Sequence, residues 1–216
     1  MTDIAAHEFF HIVTPLNIHS EIIEKFNFVQ PTPSEHLWLY EGVTEWASHK
    51  MQLNYSIKTL EEYFKELRQK VAVDERYYDK EFSLSKISLT SYTPEGQKQY
   101  GNIYMRGALV AGLLDIRLLE LSKGQKGLRE VINEFAKEYG ANKNFPEKEW
   151  FDIFAKKTYP EIGDFINRYI KNAEALPLEE YYAKIGILYD KAKKSFSLNP
   201  QANAEQVRLR ERWLRN

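Results

Sequence analysis

A pair of histidines near the N-terminus constrains the fold of this chain more than any other feature of its sequence. In the stretch "AAHEFFH", His7 and His11 stand four residues apart. On an α-helix that spacing aligns two side chains on one face, one turn apart, and Glu8 lies beside that face. Neutral imidazoles bind zinc, and a neighbouring carboxylate can act as general base toward water. The pattern therefore predicts a helix that carries part of a zinc site.

The residues around the motif support that helix. Residues 4–13 contain no glycine or proline, and Thr14-Pro15 ends the run. Thr2 and Asp3 are acceptable N-caps. The other positions of the helix are almost all apolar, which is the pattern of a helix that is covered on every side. If part of that surface were exposed, it would be available to a partner.

A catalytic zinc takes a third protein ligand and leaves one position for water. The segment "HLWLYEGVTEWASHKMQL" offers Glu41 among apolar and aromatic neighbours, where an unpaired carboxylate is unfavourable. Glu45, one turn later, has two open interpretations: it orients a metal ligand, or it pairs with His49 on the helix surface. The other isolated histidines, His19 and His36, are interpreted with His49 as hydrogen-bonded or surface residues.

These segments resemble the gluzincin metallopeptidases. "WLYEGVTEW" is similar to the "W-x-x-E-G-x-T" segment of that group, and the 29 residues between His11 and Glu41 resemble the spacing of the glycyl aminopeptidase family. A third block, "YMRGALVAGLLDIRLLELSKGQKGLREVINEF" (104–135), is similar to that family's "Y-x-K-G-A" helix and the segment after it. "LPLEEYYAKIGI" (176–187) resembles the end of the family's catalytic domain. The resemblance spans about residues 5–187.

The resemblance implies a role for each residue of the site. Zinc (Zn2+) would be held by His7, His11 and Glu41, and Glu8 would be the general base. Tyr104, which opens the third block, would donate a hydrogen bond to the developing oxyanion. The implied fold is mainly α: the helical subdomain of a thermolysin-like (gluzincin) catalytic domain, which a β-rich subdomain precedes.

The chain departs from the family's pattern at several points. Arg106 stands where a lysine is common, "HIVTPLNIH" lacks the aromatic that often follows the second histidine, and Tyr100 is a rival for the role of Tyr104. The β-rich subdomain, whose edge strand holds the substrate backbone, and the PDZ-like module have no counterpart. We therefore expect residues 1–187 to form the helical half of a larger catalytic domain. Residues 188–216 are expected to form an amphipathic helical extension.

The rest of the chain is predicted to be helical nearly throughout. Thr59 and Glu62 form a capping box at the start of one helix, and Asn102 is the expected cap of the long apolar helix that follows. Two long connections, residues 14–33 and 79–101, interrupt this pattern. Loops of such length are usually functional or disordered, and both are expected beside the zinc.

Composition excludes several classes of function. A formal net charge of -1 and a pI near 6.5 give no argument for nucleic acid or an anionic membrane as a partner. The chain has no cysteine, so it has no disulfide framework. No apolar run reaches membrane-spanning length, and the N-terminus does not read as a signal peptide. We expect a soluble chain and assign it to no compartment.

The leading functional prediction is zinc-dependent peptide hydrolysis of aminopeptidase type. Its partners would be a peptide substrate and either the missing β-rich subdomain or a second copy of the chain. The alternative is a non-catalytic helical module that retains a metal site and binds a peptide or protein through its apolar groove. Zinc content and turnover of peptide substrates separate the two.

Overall fold

The chain is mainly helical, as predicted. The computed structural model describes residues 2–140 and 142–215. In these residues the helices and strands, in chain order, are α1 (Thr2–Phe10), α2 (Glu21–Glu24), the π-helical segment π1 (Trp38–Gly42), α3 (Val43–Asn54), α4 (Leu60–Tyr77), α5 (Leu84–Leu89), α6 (Pro94–Gln99), α7 (Gly101–Leu121), α8 (Leu128–Glu138), α9 (Trp150–Lys157), α10 (Glu161–Ile166), the π-helical segment π2 (Asn167–Lys171), α11 (Leu178–Lys184), β1 (Ile187–Asp190), β2 (Ser195–Leu198) and α12 (Ala204–Trp213).

Helix α7 forms the centre of the fold. Its side chains are buried along almost the whole helix, and π1, α3, α4, α8, α11 and α12 pack around it. A helix that is apolar on all sides requires this kind of cover. The prediction that Asn102 caps the helix is wrong, because Asn102 is buried inside its first turn. Since α6 ends at Gln99, Tyr100 takes the N-cap position, without a side-chain hydrogen bond.

The two long connections differ from each other. Residues 14–33 contain only the short helix α2 among turns and extended chain, in agreement with the prediction. Residues 79–101 are not a loop, because they form α5 and α6. Side chains stabilise both short helices: the hydroxyls of Ser83 and Thr93 accept backbone N–H groups of the first turn. Local capping of this kind produces a helix where the apolar periodicity is too short to predict one.

Helix α1 ends at Phe10, three residues before the predicted end. Its last turn tightens, because the N–H of His11 bonds to the carbonyl of Glu8 and that of Ile12 to the carbonyl of Phe9. His11 therefore lies on the first turn beyond the helix. The capping box predicted at the start of α4 is confirmed, with Thr59 and Glu62 exchanging side-chain to backbone hydrogen bonds.

The C-terminal elements pack onto the same core. Strands β1 and β2 form an antiparallel hairpin in which Ile187 pairs with Leu198. The amphipathic helix expected in this region is α12, and its Leu209 and Trp213 side chains are buried. The Trp213 ring meets Tyr63 of α4 at 5.7 Å between centroids. The hairpin itself has no counterpart among the sequence predictions.

No helix in the described part of the chain is long and apolar enough to cross a membrane.

Candidate metal centre

The structure brings the three predicted metal ligands together. His7 and His11 come from α1 and the turn that follows it, and Glu41 comes from π1. Glu41 Oε2 lies 3.2 Å from His7 Nε2 and 3.5 Å from His11 Nε2. Glu8 is close as well, since one ligand atom each of His7, Glu8 and His11 lie within 4.8 Å of one another. All four side chains line one open cleft of about 430 Å³.

Hydrogen bonds orient both imidazole rings toward Glu41. His7 Nδ1 lies 2.9 Å from Glu45 Oε2, and His11 Nδ1 lies 3.0 Å from the backbone carbonyl oxygen of Thr14. Both partners are acceptors, so Nδ1 of each ring carries the proton. Nε2 of each ring is then the atom left to bind a metal, and on His7 it donates to Glu41 when no metal is bound. Acceptors in these positions typically hold a metal-binding histidine in one tautomer and one orientation.

The donor set fits a zinc ion. Two imidazole nitrogens and one carboxylate oxygen are the ligands of many catalytic zinc sites. In a tetrahedral site with metal–ligand distances of ~2.1 Å, neighbouring ligand atoms lie about 3.4 Å apart. The distances from Glu41 Oε2 to the two Nε2 atoms, 3.2 and 3.5 Å, bracket that value.

Glu45 is the centre of a buried polar network beside the ligands. Its Oε2 atom accepts from His7, and its Oε1 atom accepts from His49 Nε2 at 3.1 Å and from Lys70 Nζ. Burial alone would raise the pKa of Glu45, but hydrogen bonds from His49 and His7 and the charge of Lys70 hold that pKa well below its usual range. Glu45 therefore contacts both His7 and His49, and its pair with His49 is buried rather than on the helix surface.

The electrostatics of the site favour a cation. Hydrogen bonds to Glu41 and then to Glu45 raise the pKa of His7 to about 9, against the opposing effect of burial. A group that holds its proton above neutral pH lies in a negative potential. A metal cation bound at Nε2 would take over the role of that proton, since metal binding releases protons from its ligands.

The two predicted catalytic residues, Glu8 and Tyr104, both line the cleft. Glu8 is exposed on the rim of the cleft. Tyr104 is half-buried on α7, and its ring centroid is 5.6 Å from that of His7. Burial and the charge of Glu41 raise the pKa of Tyr104 far above its usual value. Its phenol therefore stays protonated and can donate a hydrogen bond.

Tyr100, the rival of Tyr104, lies next to it rather than in the cleft. The two rings are 6.0 Å apart between centroids. Among the residues that the structure describes, Tyr104 lines the cleft and Tyr100 does not. The two phenols are within hydrogen-bonding reach of each other, so Tyr100 helps to fix the position of Tyr104.

Two glycines explain why Glu41 and Tyr104 meet. A Cβ atom on Gly42 would lie 2.8 Å from Gly107 Cα, and one on Gly107 would lie 2.9 Å from Gly42 Cα. The backbones of π1 and α7 touch at this point, which only glycine permits. Gly42 follows Glu41, and Gly107 is on the next turn after Tyr104. This contact therefore links the "EG" and "YMRGA" segments. Short π-helical segments occur frequently at functional sites, and π1 is one of them.

Thr14, which the sequence analysis interpreted only as the end of a helix, contacts both segments that carry the predicted ligands. Its carbonyl accepts from His11, and its hydroxyl donates to the carbonyl of Leu39 at 3.2 Å. The same hydroxyl lies 3.2 Å from the hydroxyl of Thr44. Thr14 thereby joins the two ligand-bearing segments. No local sequence signal marks these contacts, because they connect residues 25 and 30 positions apart.

The remaining singled-out residues have structural roles. His19 Nδ1 lies 2.9 Å from the carbonyl oxygen of Pro15, and His36 Nε2 lies 2.8 Å from that of Glu147. Both rings are buried and lie outside the cleft. Arg106, which stands where the family commonly has a lysine, is buried and donates to Asp74 and to a backbone carbonyl.

Large apolar side chains of α1 and of the turn after it are poorly covered, and one of them, Ile4, lies at the edge of the cleft itself. Ile4 is 70%, Phe9 62% and Ile12 48% exposed. An apolar cavity of about 500 Å³ lies beside this helix, between it, α3 and α8, and Phe9 and Met51 are among the side chains that line it. The expectation of cover on every side of α1 is not met by the residues that the structure describes. The exposed side chains form apolar surface of the kind that binds partners.

Comparison with solved structures shows the class of fold. The crystal structure of an aminopeptidase N family protein from Idiomarina loihiensis is similar, with a TM-score of 0.78 and 23% sequence identity. The match covers 87% of this chain and 33% of that chain. This chain therefore spans about a third of the length of that protein.

Comparison with family models is more specific. The model of the M61 glycyl aminopeptidase family matches residues 1–110, just over half of the chain. This chain belongs to the M61 glycyl aminopeptidase family, as its sequence motifs predict. The matched residues include all five predicted site residues: His7, Glu8, His11, Glu41 and Tyr104. No curated protein matches the chain.

Proposed function

We propose that this chain is the metal-binding helical part of a zinc peptidase of aminopeptidase type, with Zn2+ held by His7, His11 and Glu41. The observation that carries the proposal is the position of Glu41 Oε2, 3.2 and 3.5 Å from two imidazole nitrogens whose other nitrogens are already hydrogen-bonded. Membership of a peptidase family and likeness to an aminopeptidase N family fold support it.

In this proposal each residue of the cleft has one role in peptide hydrolysis. Bound zinc is a Lewis acid that polarises a carbonyl group and lowers the pKa of water. Glu8, at the rim, accepts the proton of the attacking water and returns it to the amine nitrogen that leaves. Tyr104 donates its phenol hydrogen to the carbonyl oxygen as that oxygen gains charge. Glu45 and Thr14 keep the imidazole rings in place.

The exposed apolar side chains of α1 support a second part of the proposal. We infer that residues 1–187 form the helical half of a thermolysin-like catalytic domain and residues 188–216 an extension of it. A β-rich subdomain of a longer protein, or a second copy of this chain, would cover the exposed side of α1. The exposure of Ile4 and Phe9 supports this arrangement, as does the chain's one-third share of the aminopeptidase N family protein. A cleft open on one side would position substrate poorly, so the isolated chain should turn over peptides slowly.

The first test measures zinc content and turnover on matched variants. Glu41→Gln should lose zinc, because an amide is a poor zinc ligand. Glu8→Gln should keep zinc and lose turnover of aminoacyl and peptide substrates. Glu61→Gln, at an exposed position on α4, is the control and should change neither. Full zinc content in Glu41→Gln would refute the proposed ligand set.

A specific observation favours a second candidate function. The apolar cavity of about 500 Å³ beside α1 suits the apolar side chains of a bound peptide or protein segment. A non-catalytic module would bind peptides without turning them over, with or without zinc. Peptide binding that is abolished by Met51→Asp in this cavity, together with an absence of turnover even when the face of α1 is covered, would favour the module over the enzyme.

A further inference from the structure

We propose that Lys70 is a positioning residue for the metal centre, acting on the ligand His7 through the carboxylate of Glu45. The inference rests on the proposed function, since it concerns how this chain prepares His7 to bind zinc. It adds a residue from α4, a helix that provides none of the proposed ligands.

A series of hydrogen bonds through Glu45 connects helices α4, α3 and α1. Lys70 Nζ on α4 donates to Glu45 Oε1 on α3, and Glu45 Oε2 accepts from His7 Nδ1 on α1 at 2.9 Å. The Lys70 side chain is 7% exposed and the Glu45 side chain 14%. Each oxygen of the carboxylate thus has a partner on a different helix, which restrains rotation of the group. Its orientation sets the direction of the His7 ring.

Lys70 is the formal cation that balances Glu45. The other donor to Oε1 is His49, whose Nδ1 atom lies 2.8 Å from Lys58 Nζ. An ammonium has only donors to offer, so His49 accepts at Nδ1 and donates from Nε2 as a neutral ring. His7 is also neutral when its Nε2 lone pair is used by a metal. In the described part of the chain, three side chains donate to the Glu45 carboxylate; two of them are then uncharged, and Lys70 carries the compensating charge.

The location of Lys70 is difficult to explain without this role. A buried ammonium is unfavourable unless it is paired, and among the described residues Glu45 is the only carboxylate within salt-bridge distance of Lys70. A simple link between α3 and α4 would need no charged pair beside the ligands. Replacing partners of metal-bound histidines typically weakens metal affinity by about 10- to 100-fold. We expect a loss of that size when Lys70 is replaced.

The experiment measures the zinc dissociation constant of the full chain by competition with a chromophoric chelator. Lys70→Met should weaken zinc binding by about 10- to 100-fold, and Lys70→Arg, which keeps the charge, should restore most of the affinity. Lys65→Met, at an exposed position on the same helix, is the matched control and should leave affinity unchanged. Circular dichroism and thermal melting in the presence of EDTA establish that each metal-free variant is folded.

A double-mutant cycle separates positioning from mere packing. If Lys70 acts through Glu45, then Lys70→Met added to Glu45→Gln should cause little further loss of zinc affinity. Additive losses, or unchanged affinity in Lys70→Met, would overturn the inference while leaving the proposed function intact. If Lys70→Met does not fold, the same cycle is run with Lys70→Gln, which retains a hydrogen-bond donor. A wild-type chain that binds no zinc would refute the proposed function instead.

Discussion

Helices α1 and α7 are both apolar over most of their length, yet they occupy opposite environments. In α7, Leu113, Leu114 and Leu118 are completely buried, whereas in α1 Ile4 and Phe9 are more than half exposed. Apolar packing on every side therefore holds α7. Contacts made by one face hold α1, and many of those contacts are the polar groups of the candidate metal centre. A helix held in this way can loosen while the core stays folded.

The contrast between α1 and α7 predicts its largest effect when one apolar side chain in each helix is replaced by alanine. Leu114→Ala should lower the free energy of unfolding by roughly 2–5 kcal/mol, because it leaves a cavity in a fully packed core. Phe9→Ala removes a larger side chain, but one that is 62% exposed, and should change stability by less than about 0.5 kcal/mol. Urea unfolding of both variants makes the measurement. Equal losses would show that α1 is packed as tightly as α7.

Among the described residues of α7, Tyr104 is the one whose side chain lines the cleft. Its hydroxyl should therefore affect the rate of catalysis rather than stability. Tyr104→Phe should lower kcat and kcat/KM together by on the order of 100- to 1,000-fold, or about 3–4 kcal/mol. Turnover is measured in a version of the protein whose cleft is covered, with zinc content and melting temperature checked. Tyr100→Phe is the control and should lose much less. A near-normal kcat in Tyr104→Phe would transfer the role to Tyr100.

A buried carboxylate in α7 should give the core a pH dependence that α1 does not share. Burial raises the pKa of Asp115 to about 6, although Lys50 and the Leu128 N–H oppose the rise. Because the pKa of Asp115 is higher in the folded chain, Asp115 contributes its full stability only below its unfolded-state pKa, near 3.8. That contribution is lost as the pH rises through 6. The free energy of unfolding of Asp115→Asn, taken relative to that of the wild type, should therefore rise by up to about 3 kcal/mol between pH 4 and pH 7.

The check is chemical denaturation of wild type and Asp115→Asn across that pH range. Glu61→Gln, at an exposed position, serves as the control for changes in net charge. If the difference in free energy of unfolding between wild type and Asp115→Asn stays constant across this range, Asp115 has the same pKa in the folded and unfolded chains.

The smallest expected effect concerns the attachment of α1. Thr14→Val preserves shape but removes the hydroxyl that donates to the Leu39 carbonyl, which should destabilise the protein by about 1 kcal/mol. The loss should be local. Hydrogen exchange should become faster in α1 and in the turn that carries His11, while the amides of α7 keep their protection. Uniformly faster exchange would show that the two helices open as one unit.

How far the site could be predicted depends on the distance along the chain between the residues that form it. The spacing of His7 and His11 is a local property of a helix, and it predicts a shared face before any fold is known. Glu41 and Tyr104 lie far from that helix in sequence. Glu41 was a candidate because of its apolar neighbours, and the "EG" segment strengthened it, whereas Tyr104 depended on the "Y-x-K-G-A" segment, which resembles a family pattern. Physically, those segments meet through the contact of Gly42 with Gly107, which no local pattern indicates.

The sequence by itself determined the mainly helical class, the capping box of α4, the amphipathic α12 and the helix that carries His7, although His11 lies on the turn after it. Periodicity, capping and helix-face spacing act over a few residues, so they can be read directly from the chain. Only the tertiary structure decided which atoms complete the candidate metal centre. The contacts of Glu45 with His7 and Lys70 and of Thr14 with Leu39 join residues 25–38 positions apart. Such partners become neighbours only when α1, α3 and α4 pack together, and it is this packing that turns one glutamate and one lysine among many into parts of the site.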